Sequence, residues 1–181
     1  MSKTFEIEDY LFQGLRNNDE NCFREIYRLS ASSLLIYANK LIGNNELAED
    51  CLQILFIKLF KNKHKLESAE HLRFWFYRVM GNICKNYYRH KMRYYNTLEN
   101  YKKNINFGRE KKEIEEESKN KEIFKSGTRL NHKQREVILL RFQQELSIVE
   151  ILNILQSPVG TVKSRLYYGL KRLKTIIMKE E

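Results

Sequence analysis

Apolar residues recur along the chain at intervals of three and four, the spacing of one face of an α-helix. Over Ala48–Phe60 the stripe is Cys51, Leu52, Leu55, Phe56 and Leu59. Over Glu70–Arg93 it is Leu72, Phe76, Val79, Ile83 and Tyr87. Phe23, Ile26, Tyr27 and the run 34–38 read as one or two earlier helices. These patterns predict a bundle of about four helices over residues 5–94. Residues 95–127 break the pattern: they are polar, and REKKEIEEESKNK has no stripe wide enough to bury. That stretch reads as a mobile linker, with a solvated connecting helix as the alternative.

Periodicity resumes near Leu130 and defines a second domain over 128–178. Asn131 can cap a helix running to about Phe142. Ser147 with Glu150 three residues later forms a capping box ahead of Ile148, Ile151, Leu152 and Leu155. Ser157 can cap the last helix, with Pro158 at its first position, where a missing N–H costs nothing. That helix carries Val159, Val162, Leu166, Leu170, Leu173 and Ile177 on one face. Two helices joined by a short turn, the second of them basic, form a helix-turn-helix pattern. The fold class is therefore all-α: two small helical domains joined by a flexible linker. One proline and seven glycines in 181 residues agree with it.

Charge adds a direction. The net charge is +10, but it is unevenly spread: −4 over residues 1–57, +8 over 58–93 and +4 over 158–181. Two separated basic segments suit two contacts with one polyanion. On the final helix, Thr161, Ser164, Tyr168 and Arg172 lie opposite the apolar stripe, flanked by Lys163, Arg165 and Lys171. No carboxylate interrupts that face before Glu180. Hydroxyl, guanidinium and ammonium donors suit phosphates and base edges in a major groove.

On the 70–93 helix, Arg78, Asn82, Lys85 and Arg89 form a row opposite the stripe, and Trp75 continues it one turn earlier. An aromatic plate, an amide and cations on one face suit unpaired nucleic acid. Trp75 reads equally well as a core residue. Glu49, Asp50 and Gln53 share an acidic, polar side of the 48–60 helix that suits a basic protein partner, or simply water. The three cysteines, Cys22, Cys51 and Cys84, have no C-x-x-C spacing, which fits a reducing cytoplasm. There is no apolar run long enough to span a membrane and no apolar leader at the start. No phosphate-binding loop, zinc-protease or serine-hydrolase motif is present, and the four histidines are scattered. No catalytic role, metal or cofactor is expected.

The blocks just described resemble the extracytoplasmic-function (ECF) sigma factors, the short members of the sigma-70 family. Ala48-Glu49-Asp50-Cys51-Leu52-Gln53-Ile54-Leu55-Phe56 is similar to that family's core-binding segment. Trp75-Phe76-Tyr77-Arg78-Val79, then Asn82, Tyr87 and Arg89, resembles its promoter-melting segment. Arg135-Glu136-Val137, Ser147 with Glu150-Ile151, and Pro158 through Leu166 resemble its C-terminal helix-turn-helix domain.

The resemblance implies a non-catalytic subunit that binds core RNA polymerase and directs promoter-specific initiation. It implies that Glu49, Asp50, Gln53 and Phe56 dock on the clamp helices of the largest polymerase subunit. Trp75, Arg78, Asn82, Lys85 and Arg89 would meet the −10 element as it opens, and the 61–71 loop would help hold a flipped base. Thr161, Lys163, Ser164, Arg165, Tyr168 and Arg172 would face the −35 element. The second-largest subunit's flap, promoter DNA, and an anti-sigma factor or other recruiting protein are the further partners implied. Three positions depart from the pattern: Leu152 stands where a small residue is usual, Gln156 where glycine is usual, and Asn86 where aspartate is common. The alternative to this reading is a stand-alone helix-turn-helix regulator, which needs no melting face.

Overall fold

The computed structural model describes residues 5–104 and 130–178, and every regular element among them is helical. The N-terminal bundle contains α1 (Asp9–Arg16), α2 (Glu20–Ile42), α3 (Asn45–Asn62) and α4 (Ala69–Asn104). A 3₁₀ turn, Lys63–Lys65, links α3 to α4. The C-terminal domain contains α5 (His132–Ile138), α6 (Ile148–Leu155) and α7 (Val159–Ile177).

Local chemistry sets most helix ends. The Asp19 side chain accepts from the backbone N–H of Asn21 and Cys22 at the start of α2. The same helix stops at Gly43, whose φ of 77° is the left-handed conformation that glycine adopts without strain. Asn44 caps α3 by accepting from Leu47 N. Capping boxes open α5 (Asn131 with Gln134) and α6 (Ser147 with Glu150).

The patterns over 23–38, expected as one or two helices, belong to one, α2, which no Gly or Pro interrupts. Two elements differ from the sequence expectations. Helix α4 runs on past residue 94 to Asn104, about 54 Å in all. The first ten residues assigned to the linker are thus helical, again with no Gly or Pro among them; 105–129 lie outside the described residues. Ser157 does not cap α7: the N-cap residue is Pro158, and the Ser157 hydroxyl donates to Leu155 O at the end of α6.

After Ile138, α5 widens into a π-helical turn, Leu139–Gln143, with Gln144 N bonded to Leu139 O. This turn carries Gln144 into the interior, where it is fully buried.

One core runs through both domains. Phe12, Leu15, Ile26, Leu34, Leu55, Leu59, Leu72 and Phe76 are buried in the bundle. Val137, Leu140, Ile151, Ile154 and Val162 are buried in the C-terminal domain. Helix α5 packs on α2, and α6 packs on α4, so the second domain lies against the first.

Candidate polymerase and promoter interfaces

Glu49, Asp50 and Gln53 are exposed on α3, as their spacing predicts. Phe56, expected beside them, is only 7% exposed. Its ring packs on Phe23, Tyr27 and Phe76, with centroids 6.0, 4.7 and 5.6 Å away. The reason is geometric: Phe56 falls on the same stripe as Leu52 and Leu59, so it supports the face from beneath.

The apolar residues that do reach the surface of α3 are Ile54, Ile57 and Phe60. Sequence reading passed over them, although a signal existed: the run Leu52–Phe60 is apolar on more than one side. Phe60 also borders an open groove of about 360 Å³ with Phe23, Tyr27 and Lys63. Lys63, in the 61–71 loop expected to hold a flipped base, is buried. Its ammonium group lies 4.3 Å from the Phe60 ring centroid and donates to Asn18, so it does not face outward toward nucleic acid.

On α4, Ser68 caps the first turn by accepting from His71 N. Asn82 and Arg89 are exposed, while Arg78 and Lys85 are half-buried on the same face. Trp75 is also half-buried, edge-on to Phe76 at 5.9 Å. It combines both readings of its pattern, with part of the indole on the core and part at the surface. Arg78 is already engaged: Nε donates to Ile154 O at 3.0 Å and Nη2 to Asn153 O at 2.5 Å. Burial holds its guanidinium below the ordinary arginine value.

On α7, Lys163, Ser164, Tyr168 and Arg172 are exposed, and Thr161 and Arg165 are half-buried. The Ser164 hydroxyl donates to Thr161 O, and Tyr168 lies edge-on to the equally exposed Tyr167. The turn before this helix is made by Gln156 at φ 47° and ψ 45°. A non-glycine residue thus adopts the left-handed conformation where the family pattern has glycine. Leu152, a second departure, is half-buried and lines the crevice between α6 and the start of α4.

The α4 and α7 rows converge. Arg78, Asn82, Lys85, Lys133, Glu136 and Arg165 line one cavity of about 300 Å³ between the domains. Burial pushes the Glu136 carboxyl up to about 7, against the pull of Lys85, Arg165 and Lys133. Burial pushes His132, beside it, down to about 4, helped by Arg135, Lys85 and Arg89. The burial of Glu136 and His132 is not legible in the sequence, because burial at an interface between domains leaves no periodic mark.

Among the described residues no group of three His, Cys, Asp or Glu side chains could hold a metal ion. No described helix is long and apolar enough to cross a membrane.

Comparison with known proteins identifies the family. Residues 26–94 match the family model for sigma-70 region 2, and 128–175 match that for sigma-70 region 4. The chain is 28% identical over 171 residues to the ECF RNA polymerase sigma factor SigW of Bacillus subtilis, covering 88% of this chain and 91% of that protein. It is 25% identical over 158 residues to the RNA polymerase sigma factor SigV of the same organism, covering 87% of each. Two solved structures share the fold. CnrH in complex with the cytosolic domain of CnrY has a TM-score of 0.72 at 16% identity, over 97% of this chain and 100% of that one. RpoE in complex with the anti-sigma factor NepR from Bartonella quintana has a TM-score of 0.59 at 20% identity, over 88% and 98%. With the models for sigma-70 regions 2 and 4 matched in order along it, the chain belongs to the sigma-70 family, as one of its extracytoplasmic-function sigma factors.

Proposed function

We propose that this sigma factor docks on core RNA polymerase through the acidic and apolar side of α3, reads duplex promoter DNA with α7 and holds the opened strand with α4. The observation that carries this reading is the division of labour among three helix faces. Glu49, Asp50 and Gln53 stand beside exposed Ile54 and Ile57, a face suited to a basic protein surface with an apolar centre. Lys163, Ser164, Arg165, Tyr168 and Arg172 offer cations, hydroxyls and an aromatic ring with no carboxylate among them, which suits a duplex contact. Trp75, Asn82, Lys85 and Arg89 combine a stacking plate, an edge-reading amide and cations, which suit a single strand.

Such a subunit catalyses nothing itself: it positions the polymerase and stabilises unpaired DNA, and it works in the cytoplasm, where polymerase and template meet. A stand-alone helix-turn-helix regulator would use α5–α7 and leave the α4 row without a task. A partner of the kind complexed with the structural neighbour from Bartonella quintana would control this chain by competing for the same faces.

The test is transcription in vitro with sigma-free core on genomic fragments, followed by permanganate footprinting of unpaired thymines. Arg165→Ala should reduce initial promoter binding. Asn82→Ala should leave that binding near normal and reduce strand opening, with partial rescue on a template already melted at −10. Normal binding with lost opening in Arg165→Ala would sink the assignment of the α7 face. Lost duplex binding in a folded Asn82→Ala chain would sink that of α4.

A further inference from the structure

Two of the three thiols meet in the interior of the bundle. Cys51 of α3 and Cys84 of α4 are each 1% exposed, and their thiols are hydrogen-bonded to each other where the two helices pack. A buried cysteine ordinarily serves as a small apolar side chain. Here two of them, 33 positions apart, are placed so that each sulfur is the polar neighbour of the other. Cys22, the third, is half-buried and bonds to Asp19 instead.

The pair is asymmetric. The bond from the Cys84 thiol holds Cys51 below the ordinary cysteine value, and the same bond, with burial, pushes Cys84 up. Cys51 is therefore the sulfur with thiolate character, the form that peroxides oxidise, and Cys84 is a thiol already in place to resolve it. Cys51 stands at the edge of the core: it follows exposed Asp50, and half-buried Tyr87 lies within electrostatic reach of both. The two helices are those whose outer sides carry the docking and strand-reading residues. Asp50 precedes Cys51, and Lys85 follows Cys84.

Resting on the functional reading above for its consequence, we propose that Cys51 and Cys84 form an oxidation site for hydrogen peroxide, and that their disulfide staples the docking helix α3 to the strand-reading helix α4 and lowers affinity for core. The Cys51 sulfur attacks one peroxide oxygen. An S–O bond forms, the O–O bond breaks, and the leaving hydroxide takes up the thiol proton as water. The Cys84 sulfur then attacks the sulfenic sulfur of Cys51. The S–S bond forms, the S–O bond breaks, and hydroxide leaves with the Cys84 proton as a second water. Two thiols are oxidised to one disulfide, and one peroxide is reduced to two waters. Drawing the sulfurs from hydrogen-bond contact to covalent distance shifts or turns one helix against the other, and Asp50 and Lys85 move with them. Exchange with a dithiol reverses the step in a reducing compartment.

The test uses the full chain, labelled at its N-terminus, either reduced or treated with hydrogen peroxide that is then removed. Mass spectrometry should show the loss of about 2 Da that one disulfide brings, and peptide mapping should join Cys51 to Cys84. Affinity for core, read by fluorescence anisotropy, should fall at least about fivefold on oxidation and return with dithiothreitol. Cys22→Ser should keep the whole response. Cys51→Ala and Cys84→Ala, checked for helicity by circular dichroism, should bind core as the reduced parent does and lose the response. Cys84→Ser, closer in size, replaces an alanine variant that unfolds.

Absence of the Cys51–Cys84 linkage at peroxide doses that oxidise Cys22 would overturn the proposal. So would a linked chain with unchanged affinity, or an affinity loss that persists in the Cys51 and Cys84 variants. Failure of the reduced parent to bind core would strike the functional reading instead, and the mapped linkage then decides the oxidation site.

Discussion

Gly81 of α4 lies so close to Glu136 of α5 that a Cβ added to the glycine would stand 2.4 Å from Glu136 Oε1 and 3.4 Å from the Tyr37 hydroxyl. A side chain at position 81 would therefore occupy the place of the carboxylate on which Lys85 of α4 and Arg165 of α7 both act. In an ordinary helix interior, alanine is favoured over glycine by about 1 kcal/mol. Here the Glu136 side chain must move to admit it. Gly81→Ala alone should thus show little gain or a loss in stability. In a Glu136→Ala background it should gain about 1 kcal/mol. A double-mutant cycle by urea unfolding measures the coupling; additive effects would mean that the two residues do not meet.

Glu136 and His132 oppose each other in pH dependence. The Glu136 carboxyl is raised from 4.5 to about 7, so the folded protein holds a proton that the unfolded chain has released. Its contribution is full below about pH 4.5 and is lost as pH rises through about 7. His132 is lowered from 6.5 to about 4, so its contribution is full above about pH 6.5 and is lost as pH falls through about 4. Between about pH 4.5 and 6.5 the two slopes cancel in the parent chain. Glu136→Gln should leave stability rising with pH across that window, and His132→Asn should leave it falling. Each limiting slope is at most about 1.4 kcal/mol per pH unit. Urea midpoints at several pH values check both signs.

Gln156 holds a left-handed backbone at the turn of the helix-turn-helix. Gln156→Gly removes the strain between Cβ and the following carbonyl and should raise stability by about 1 kcal/mol. A fall in thermal midpoint would show that the glutamine side chain stabilises the turn by more than the strain it carries.

On α3, neighbouring positions should behave oppositely. Phe56→Ala empties a buried aromatic site and should cost about 3–5 kcal/mol of stability. Asp50→Arg and Ile57→Ala change exposed side chains and should leave unfolding within about 0.5 kcal/mol of the parent. Both should weaken association with core, measured by co-elution or fluorescence anisotropy. Unchanged affinity in Asp50→Arg would remove α3 from the docking surface.

The sequence by itself determined the helices, their order and most of their ends. Capping at Asn131 and Ser147 and the stripe through Leu72, Phe76 and Val79 are local events, readable from residues within a turn or two of each other. The same locality made the rows Trp75–Arg89 and Thr161–Arg172 legible as faces. Tertiary structure alone decided what each face meets. Phe56 sits in a cage formed by Phe23 and Tyr27 of α2 and Phe76 of α4. Ile54, Ile57 and Phe60 reach the surface because α3, apolar on more than one side, has neighbours on only one of them. The ends of Arg78, Lys63, His132 and Glu136 depend on partners 29 to 76 positions away, and no period along the chain encodes such partners. Burial and paired charge arise where distant segments close on each other, and there the chemistry of the interface between the domains was settled.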